Sequence, residues 1–232
     1  MSRAEPNYKM RVIILAAGQG FLLDGMVKCL VRAPHDGRKL LEKVQEAFAG
    51  HQITVVVGYR AVAVMQEFPK LDYVYNPDWA STNNSHSLGL ALNDEPCYVL
   101  SSDLVFERSL VHELDAAGPN LVLVERRENR ILTSVNCALE KDRVRELYVG
   151  PLRAPNDPEA VGVFKISDRT LLRQWRRNCM KHGNLFVGQN LCLSATEFDV
   201  PAHDVGSHLF YEINHPADYL RALRRYRASV VE

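Results

Sequence analysis

An unbroken apolar run, Val12-Ile13-Ile14-Leu15-Ala16-Ala17, stops at Gly18-Gln19-Gly20, and Lys28 stands eight residues further on. A strand-length run with no polar break needs cover on both faces, which is the place of a parallel strand inside an α/β sheet. Two small residues and a Gly-x-Gly then let the backbone come close to a ligand, because no Cβ stands in the way. A turn rich in free N–H groups forms a hollow for anions. The stretch therefore predicts a buried strand that delivers a turn to a triphosphate, with the Lys28 ammonium meeting the phosphates. Two familiar patterns are excluded. Leu23 stands where a dinucleotide fingerprint needs its third glycine, and Lys28 lies too far from Gly20, and is followed by Cys29, for a P-loop.

The rest of the chain supplies the partners such a strand requires. Residues 1–10 read as a frayed arm and Lys28 to Val31 as a short extended piece. Leu40, Leu41, Val44 and Phe48 fall at helical spacing, and Gly50 ends that helix. Ile53–Val57, Asp72–Tyr75 and Cys97–Leu100 read as strands, with helices over 61–68 and from Asn84 between them. Strands alternating with helices give a mostly parallel sheet clothed on both faces, a three-layer α/β/α arrangement. Beyond residue 119 the pattern changes. Asn120–Val124 and Ile131–Ala138 alternate as antiparallel strands do, and Arg143–Val149, Ala160–Lys165, Phe198–Pro201 and Leu209–Glu212 complete the strands expected. Helices are expected over 168–180 and 185–193, and Pro216 opens the last one. One domain over 1–232 follows, with a nucleotide-binding half at about 10–118 and an acceptor-binding half at about 119–232.

Composition narrows the partners. Lys and Arg together number 28 and Asp and Glu also 28, which disfavours nucleic acid or an anionic membrane as the main partner. No apolar run approaches the ~20 residues of a membrane span. The start of the chain lacks the apolar core of a signal peptide. The five cysteines are scattered, without metal-ligand spacing, and their odd number argues against a disulfide framework. The expected setting is a reducing cytoplasm. The oligomeric state is open, with a homodimer among the options.

Several polar groups sit at strand ends, where an open α/β sheet binds its ligands. Asp103 follows Tyr98-Val99-Leu100 and is placed to hold Mg²⁺, a hard ion that takes oxygen ligands and shares its shell with phosphates. Asn83-Asn84-Ser85-x-Ser87-Leu88 is dense in short hydrogen-bonding side chains. They suit helix capping, recognition of a pyrimidine base, or both.

Leu-Ala-Ala-Gly-x-Gly with a later lysine resembles the signature of nucleotidyltransferases with a GT-A-like α/β fold. The stretch Tyr75-Asn76-Pro77-Asp78-Trp79-Ala80-Ser81-Thr82-Asn83-Asn84-Ser85-His86-Ser87-Leu88 is similar to a loop of bacterial choline-phosphate cytidylyltransferases, as are Val57-Gly58-Tyr59 and Tyr211-Glu212-Ile213-Asn214. The opening run also resembles the cytidylyltransferases of phosphonate biosynthesis, some of them fused to phosphoenolpyruvate mutase. The resemblance implies an enzyme that moves CMP from CTP to a small phosphonate or phosphate monoester, such as 2-hydroxyethylphosphonate, 2-aminoethylphosphonate or phosphocholine, and releases pyrophosphate. It implies catalytic roles for Lys28 and Asp103. It assigns nucleotide contacts to Leu15, Ala16, Ala17, Gly18, Gln19, Gly20, Gly58, Asn83, Asn84, Ser85 and Ser87. Acceptor contacts fall to Tyr59, Trp79, Lys165 and Tyr211, with Trp175 a further aromatic candidate and Asp78 or Glu212 a partner for an amine. Mg²⁺ would be held by Asp103 with Glu212 or Asn214.

Two departures stand out. Family members carry an arginine soon after the glycine loop, where this chain has Phe21-Leu22, so Lys28, with Arg11, Lys165 or another base, must neutralise the phosphates. Asn214 replaces a metal-binding aspartate and offers a carbonyl oxygen without charge. Three alternatives stay open: a sugar-phosphate nucleotidyltransferase, a degenerate nucleotide-binding protein, and a glycosyltransferase. The last is disfavoured because Ser101-Ser102-Asp103 has one carboxylate where an Asp-x-Asp is usual.

Overall fold

β1 (Arg11–Ala16) lies in the middle of the sheet, parallel to β2 (Gln52–Val57) on one side and to β4 (Cys97–Ser101) on the other. The computed structural model describes residues 10–34, 36–126, 134–195 and 197–231. The arm before Met10 and the first residues of the strand expected from Ile131 lie outside that range.

α1 (Leu40–Ala47) and α2 (Ala61–Glu67) link β1 to β2 and β2 to β3 (Asp72–Tyr75), which is parallel to β2. α3 (Asn84–Ala91) precedes β4, and β5 (Leu104–Phe106) and α4 (Arg108–Ala116) follow it. β6 (Asn120–Glu125), β7 (Val135–Glu140), β8 (Arg143–Val149) and β9 (Glu159–Ile166) come next, then α5 (Arg169–Lys181) and α6 (Val187–Ala195). β10 (Ala202–Asp204), β11 (Phe210–Glu212) and α7 (Pro216–Val231) close the chain. Among the described residues the sheet runs β10-β6-β9-β4-β1-β2-β3, with β7 and β8 branching from β9. β9 is antiparallel to β4, β6 and β7.

Strand periodicity divides the core. Val12, Ile14, Ala16, Tyr98, Leu100, Val161 and Val163 face α1, α2 and α4. Ile13, Ala17, Cys97, Val99, Phe164 and Ile166 face α3, α5 and α6, where Trp175 is fully enclosed. The apolar run of β1 is thus buried on both sides, and the layers are helix, mixed sheet, helix.

Some expectations shift. Lys28–Leu30 is a turn of 3₁₀ helix, not an extended piece. The strand expected over Phe198–Pro201 forms at Ala202–Asp204 instead, parallel to β6. The sequence pattern marks neither β5 nor α4. β5 pairs antiparallel with β11, Leu104 opposite Glu212, outside the main sheet.

Candidate active site

The carboxyl ends of β1 to β4 lie along one edge, with Ala16 beside Val57, Leu15 beside Ser101, and Val57 beside Tyr75. An open cleft of about 230 Å³ lies over this edge. One wall is the glycine turn, including Leu15, Ala17, Gln19 and Gly20. Trp79, Thr82 and the start of α3 also line the cleft, and Ser101, Ser102 and Asp103 form its floor.

The glycine turn folds back on itself. Gly20 bridges to Met26, and the N–H groups of Leu23 and Gly25 both donate to Gly20 O. Asp24 and Gly25 adopt left-handed backbone, φ 52° and 71°, to make the reversal. The turn leads straight to Lys28, which faces the cleft floor.

Lys28 Nζ donates to Asp103 Oδ2 at 2.6 Å and to Asn214 Oδ1 at 2.5 Å. Asn214 arrives there because β11 pairs with β5, and Ile213 N–H donates to Asp103 O at 2.9 Å. The carboxylate of Asp218 fixes the Asn214 turn by accepting from the N–H groups of Asn214 and His215, each at 3.0 Å. Burial pulls the Lys28 ammonium down. The charge and hydrogen bond of Asp103 outweigh that, with help from Glu212 and Asp218, so its pKa ends above the ordinary lysine value. Lys28 stays protonated at neutral pH. An ammonium has three donors, and two are used, so one is left for a ligand.

The floor suits a divalent cation. Asp103 Oδ1 is buried and has no hydrogen-bond partner among the described residues. It and Asn214 Oδ1 are hard oxygen donors, the type Mg²⁺ takes. Among the described residues no group of three or more His, Cys, Asp or Glu side chains gathers as a metal cage. Mg²⁺ does not need one, since it keeps waters and substrate phosphates in its shell.

Residues 12–228 match the MobA-like NTP transferase domain family. The chain belongs to that family. A curated relative, the CMP-5'-(3-aminopropyl)phosphonate synthase of Streptomyces rubellomurinus (strain ATCC 31215), is 30% identical over 178 residues, 71% of this chain. The chain spans only 28% of that relative's length. The MobA-like NTP transferase fold is shared with the CTP:phosphocholine cytidylyltransferase of Streptococcus pneumoniae. That structure has a TM-score of 0.75 at 20% identity, over 94% of this chain and 99% of the other. The inositol-1-phosphate CTP transferase from T. maritima has a TM-score of 0.71 at 18% identity, over 93% and 95%.

Within this MobA-like NTP transferase the residues singled out from sequence divide clearly. Leu15, Ala17, Gly18, Gln19, Gly20, Lys28, Trp79, Asn83, Asn84, Ser87 and Asp103 all line the cleft. Ala16 does not, because strand alternation turns its side chain to the opposite face. Gly58 is a packing glycine. A Cβ there would lie 2.6 Å from Trp79 Cβ and 2.8 Å from Ala17 O. Asn83 caps α3, accepting from Asn84 N–H at 2.7 Å. Ser85 is a correction: it points away from the cleft and accepts from Asn190 Nδ2 at 2.8 Å. Helical geometry explains this, since Asn84 and Ser87 share a face that Ser85 leaves.

The acceptor assignments change most. Lys165 is near the end of the antiparallel β9, opposite Tyr98, so it lies at the far edge of the sheet. There its ammonium donates to the Leu114, Asp115 and Ala117 carbonyls at 2.7, 3.2 and 3.2 Å, capping α4. Burial lowers its pKa. Arg11, at the start of β1, is at the same far edge and bonds Thr54. Tyr211 is buried among Val31, Leu40 and Val105, and burial raises its hydroxyl pKa. Trp175 is core, its indole N–H donating to Val187 O at 2.8 Å. Tyr59 packs on Trp79 with ring centroids 5.1 Å apart and supports the cleft wall from behind. Glu212 stands opposite Leu104 and adds its charge beside Lys28 without lining the cleft. Thr82, Ser101 and Ser102 also line the cleft, and the sequence carries no signal for them, because single hydroxyls in turn-forming runs look like ordinary turn residues.

Proposed function

We propose that this chain transfers CMP from CTP to a small phosphonate or phosphate monoester and releases pyrophosphate. The observation that carries the reading is the meeting of the Lys28 ammonium, the Asp103 carboxylate and the glycine turn in one cleft that Asn84 and Ser87 also line. The same cleft thus offers charge and hydrogen-bond donors for phosphates and short polar groups suited to a base. The name of the Streptomyces relative supports a phosphonate acceptor over the others.

In the transfer, an oxygen of the acceptor attacks the α-phosphorus of CTP. A phosphorus–oxygen bond to the acceptor forms as the bond to the β-phosphate breaks, and the electron pair leaves with pyrophosphate. The attacking oxygen is already ionised near neutral pH, so no general base is needed, and catalysis consists of alignment and charge neutralisation. The glycine turn lets the phosphates approach the backbone. Lys28 places its remaining donor on a phosphate oxygen, and Ser101 and Ser102 supply hydroxyls on the floor. Asp103 and Asn214 would hold Mg²⁺, which when bound supplies positive charge to the phosphate oxygens.

Pyrophosphate release tests this. ATP, GTP, CTP and UTP are each offered with 2-hydroxyethylphosphonate, 2-aminoethylphosphonate, phosphocholine or glucose 1-phosphate, in Mg²⁺ buffer. The expected result is release with CTP and a phosphonate or phosphocholine. Release with glucose 1-phosphate alone, or CTP binding with no turnover on any acceptor, overturns the reading.

A further inference from the structure

Asn76 is 0% exposed and does not line the cleft, yet it controls two hydroxyls that do. Its side-chain carbonyl accepts from Asp78 N–H at 2.9 Å, which fixes the amide orientation, because a backbone N–H can only meet the oxygen. Asn76 Nδ2 therefore faces the cleft wall. It donates to Ser87 Oγ at 2.9 Å and reaches Thr82 Oγ1 at 3.5 Å.

The two hydroxyls take opposite polarity. Thr82 spends its proton on Asp78 O at 2.7 Å and can offer a ligand only a lone pair. Ser87 accepts from Asn76, and its own proton finds no acceptor among the described residues, so that proton is left for the cleft. Ser87 is itself buried, and a buried donor without a partner is costly. A ligand atom that accepts there relieves the cost. Beside them, Asn84 has its carbonyl taken by Val187 N–H at 3.2 Å, which leaves its amide hydrogens as further donors.

We propose that Asn76 is a positioning residue that selects cytosine over uracil. The idea rests on the reading that this cleft holds a pyrimidine triphosphate. Cytosine presents an acceptor at N3 next to a donor at N4. Uracil presents the reverse, a donor at N3 next to an acceptor at O4. The Ser87 proton meets cytosine N3 and the Thr82 lone pair meets its amino group. With uracil, both contacts set like against like, and buried polar groups stay unpaired.

The test is the ratio of kcat/KM for CTP to that for UTP with the phosphonate acceptor. In Asn76→Asp one carboxylate oxygen keeps the Asp78 N–H and the other takes the Ser87 proton, so Ser87 presents a lone pair instead. The CTP/UTP ratio is expected to fall roughly 10- to 100-fold. In Ser87→Ala it is expected to fall about 10-fold. A role in folding alone would lower both rates together, and an unchanged ratio in both variants overturns the proposal. Should the buried carboxylate keep Asn76→Asp from folding, 3-deaza-CTP, with C–H in place of N3, decides. The wild type should bind it roughly 10- to 100-fold more weakly than CTP, and Ser87→Ala should bind the two alike. Equal binding of both nucleotides by the wild type overturns the role of Ser87 and Asn76. If the wild type turns over no triphosphate, the transfer reading fails. The binding ratios of CTP and UTP, measured by calorimetry on the same variants, then still decide the selection by Asn76.

Discussion

Replacing Lys28 by methionine leaves a carboxylate with its main partner gone. The Nζ–Oδ2 distance is 2.6 Å, and the side chains of Lys28 and Asp103 are 27% and 6% exposed. Breaking a fully buried ion pair by removing one member costs about 3–5 kcal/mol, most of it the uncompensated charge left behind. Lys28 opens partly to the cleft, and water entering there recovers some of that, so Lys28→Met should cost about 2–3 kcal/mol. For a chain of this size that is a drop in Tm of roughly 5–10 °C. Asp103→Asn in the same chain removes the stranded charge, and Lys28→Met/Asp103→Asn should regain most of the lost stability. Activity should not return. Each single variant and the double one should lose about 10²- to 10³-fold in kcat/KM, with the losses far from additive because the two side chains act as one unit. The assay pairs thermal unfolding with pyrophosphate release on all four proteins. A double variant as unstable as Lys28→Met would refute the ion-pair account. Near-normal turnover in Lys28→Met would refute the phosphate role.

Two further outcomes follow from the geometry. Gly58→Ala would push a methyl group to 2.6 Å from Trp79 Cβ and 2.8 Å from Ala17 O, both on cleft-lining residues. Overpacking of this kind costs about 1–3 kcal/mol, and KM for nucleotide should rise as the wall shifts; an unaltered KM with unaltered Tm would contradict it. Glu113 is held below the usual carboxylate range by hydrogen bonds from His208 and then His203, at 2.9 and 2.8 Å. Its folded pKa is depressed, so its stabilisation is present above the unfolded value near 4.5 and lost as pH falls through the folded value. Urea midpoints from roughly pH 6 to 3 should fall less steeply in Glu113→Gln than in the wild type, and parallel curves would count against the clasp.

Much of this architecture can be read from one-dimensional pattern. The apolar run of β1 demands cover on both faces, and the strand–helix alternation up to Ser101 supplies it. The turn residues of the glycine loop and the capping side chains of α3 are local signals, and they land where local chemistry puts them. What fails are statements about distant partners. Lys165 looks like any basic residue on a strand, and only the antiparallel course of β9 sends it to the far edge. Tyr211 and Trp175 have the composition of an aromatic cage, but pairing and helix packing commit them to the core. Ser85 and Ser87 differ only in which side of a helix they occupy, and that needs the helix register. The approach of Asn214 to Asp103 depends on a three-residue pairing too short to stand out from its surroundings. Asn76 reads as a turn residue before Pro77, and its hold on Ser87 spans a loop.

β9 has one more implication. It reaches the sheet from the later part of the sequence and runs against the grain between β4 and β6. A fragment severed near residue 118 would carry the glycine turn, Lys28 and Asp103 but expose the bare hydrogen-bonding edge of β4. Such an edge invites pairing with other molecules. The two portions are stitched, not bolted. Cutting the chain there would therefore leave neither portion with a complete sheet.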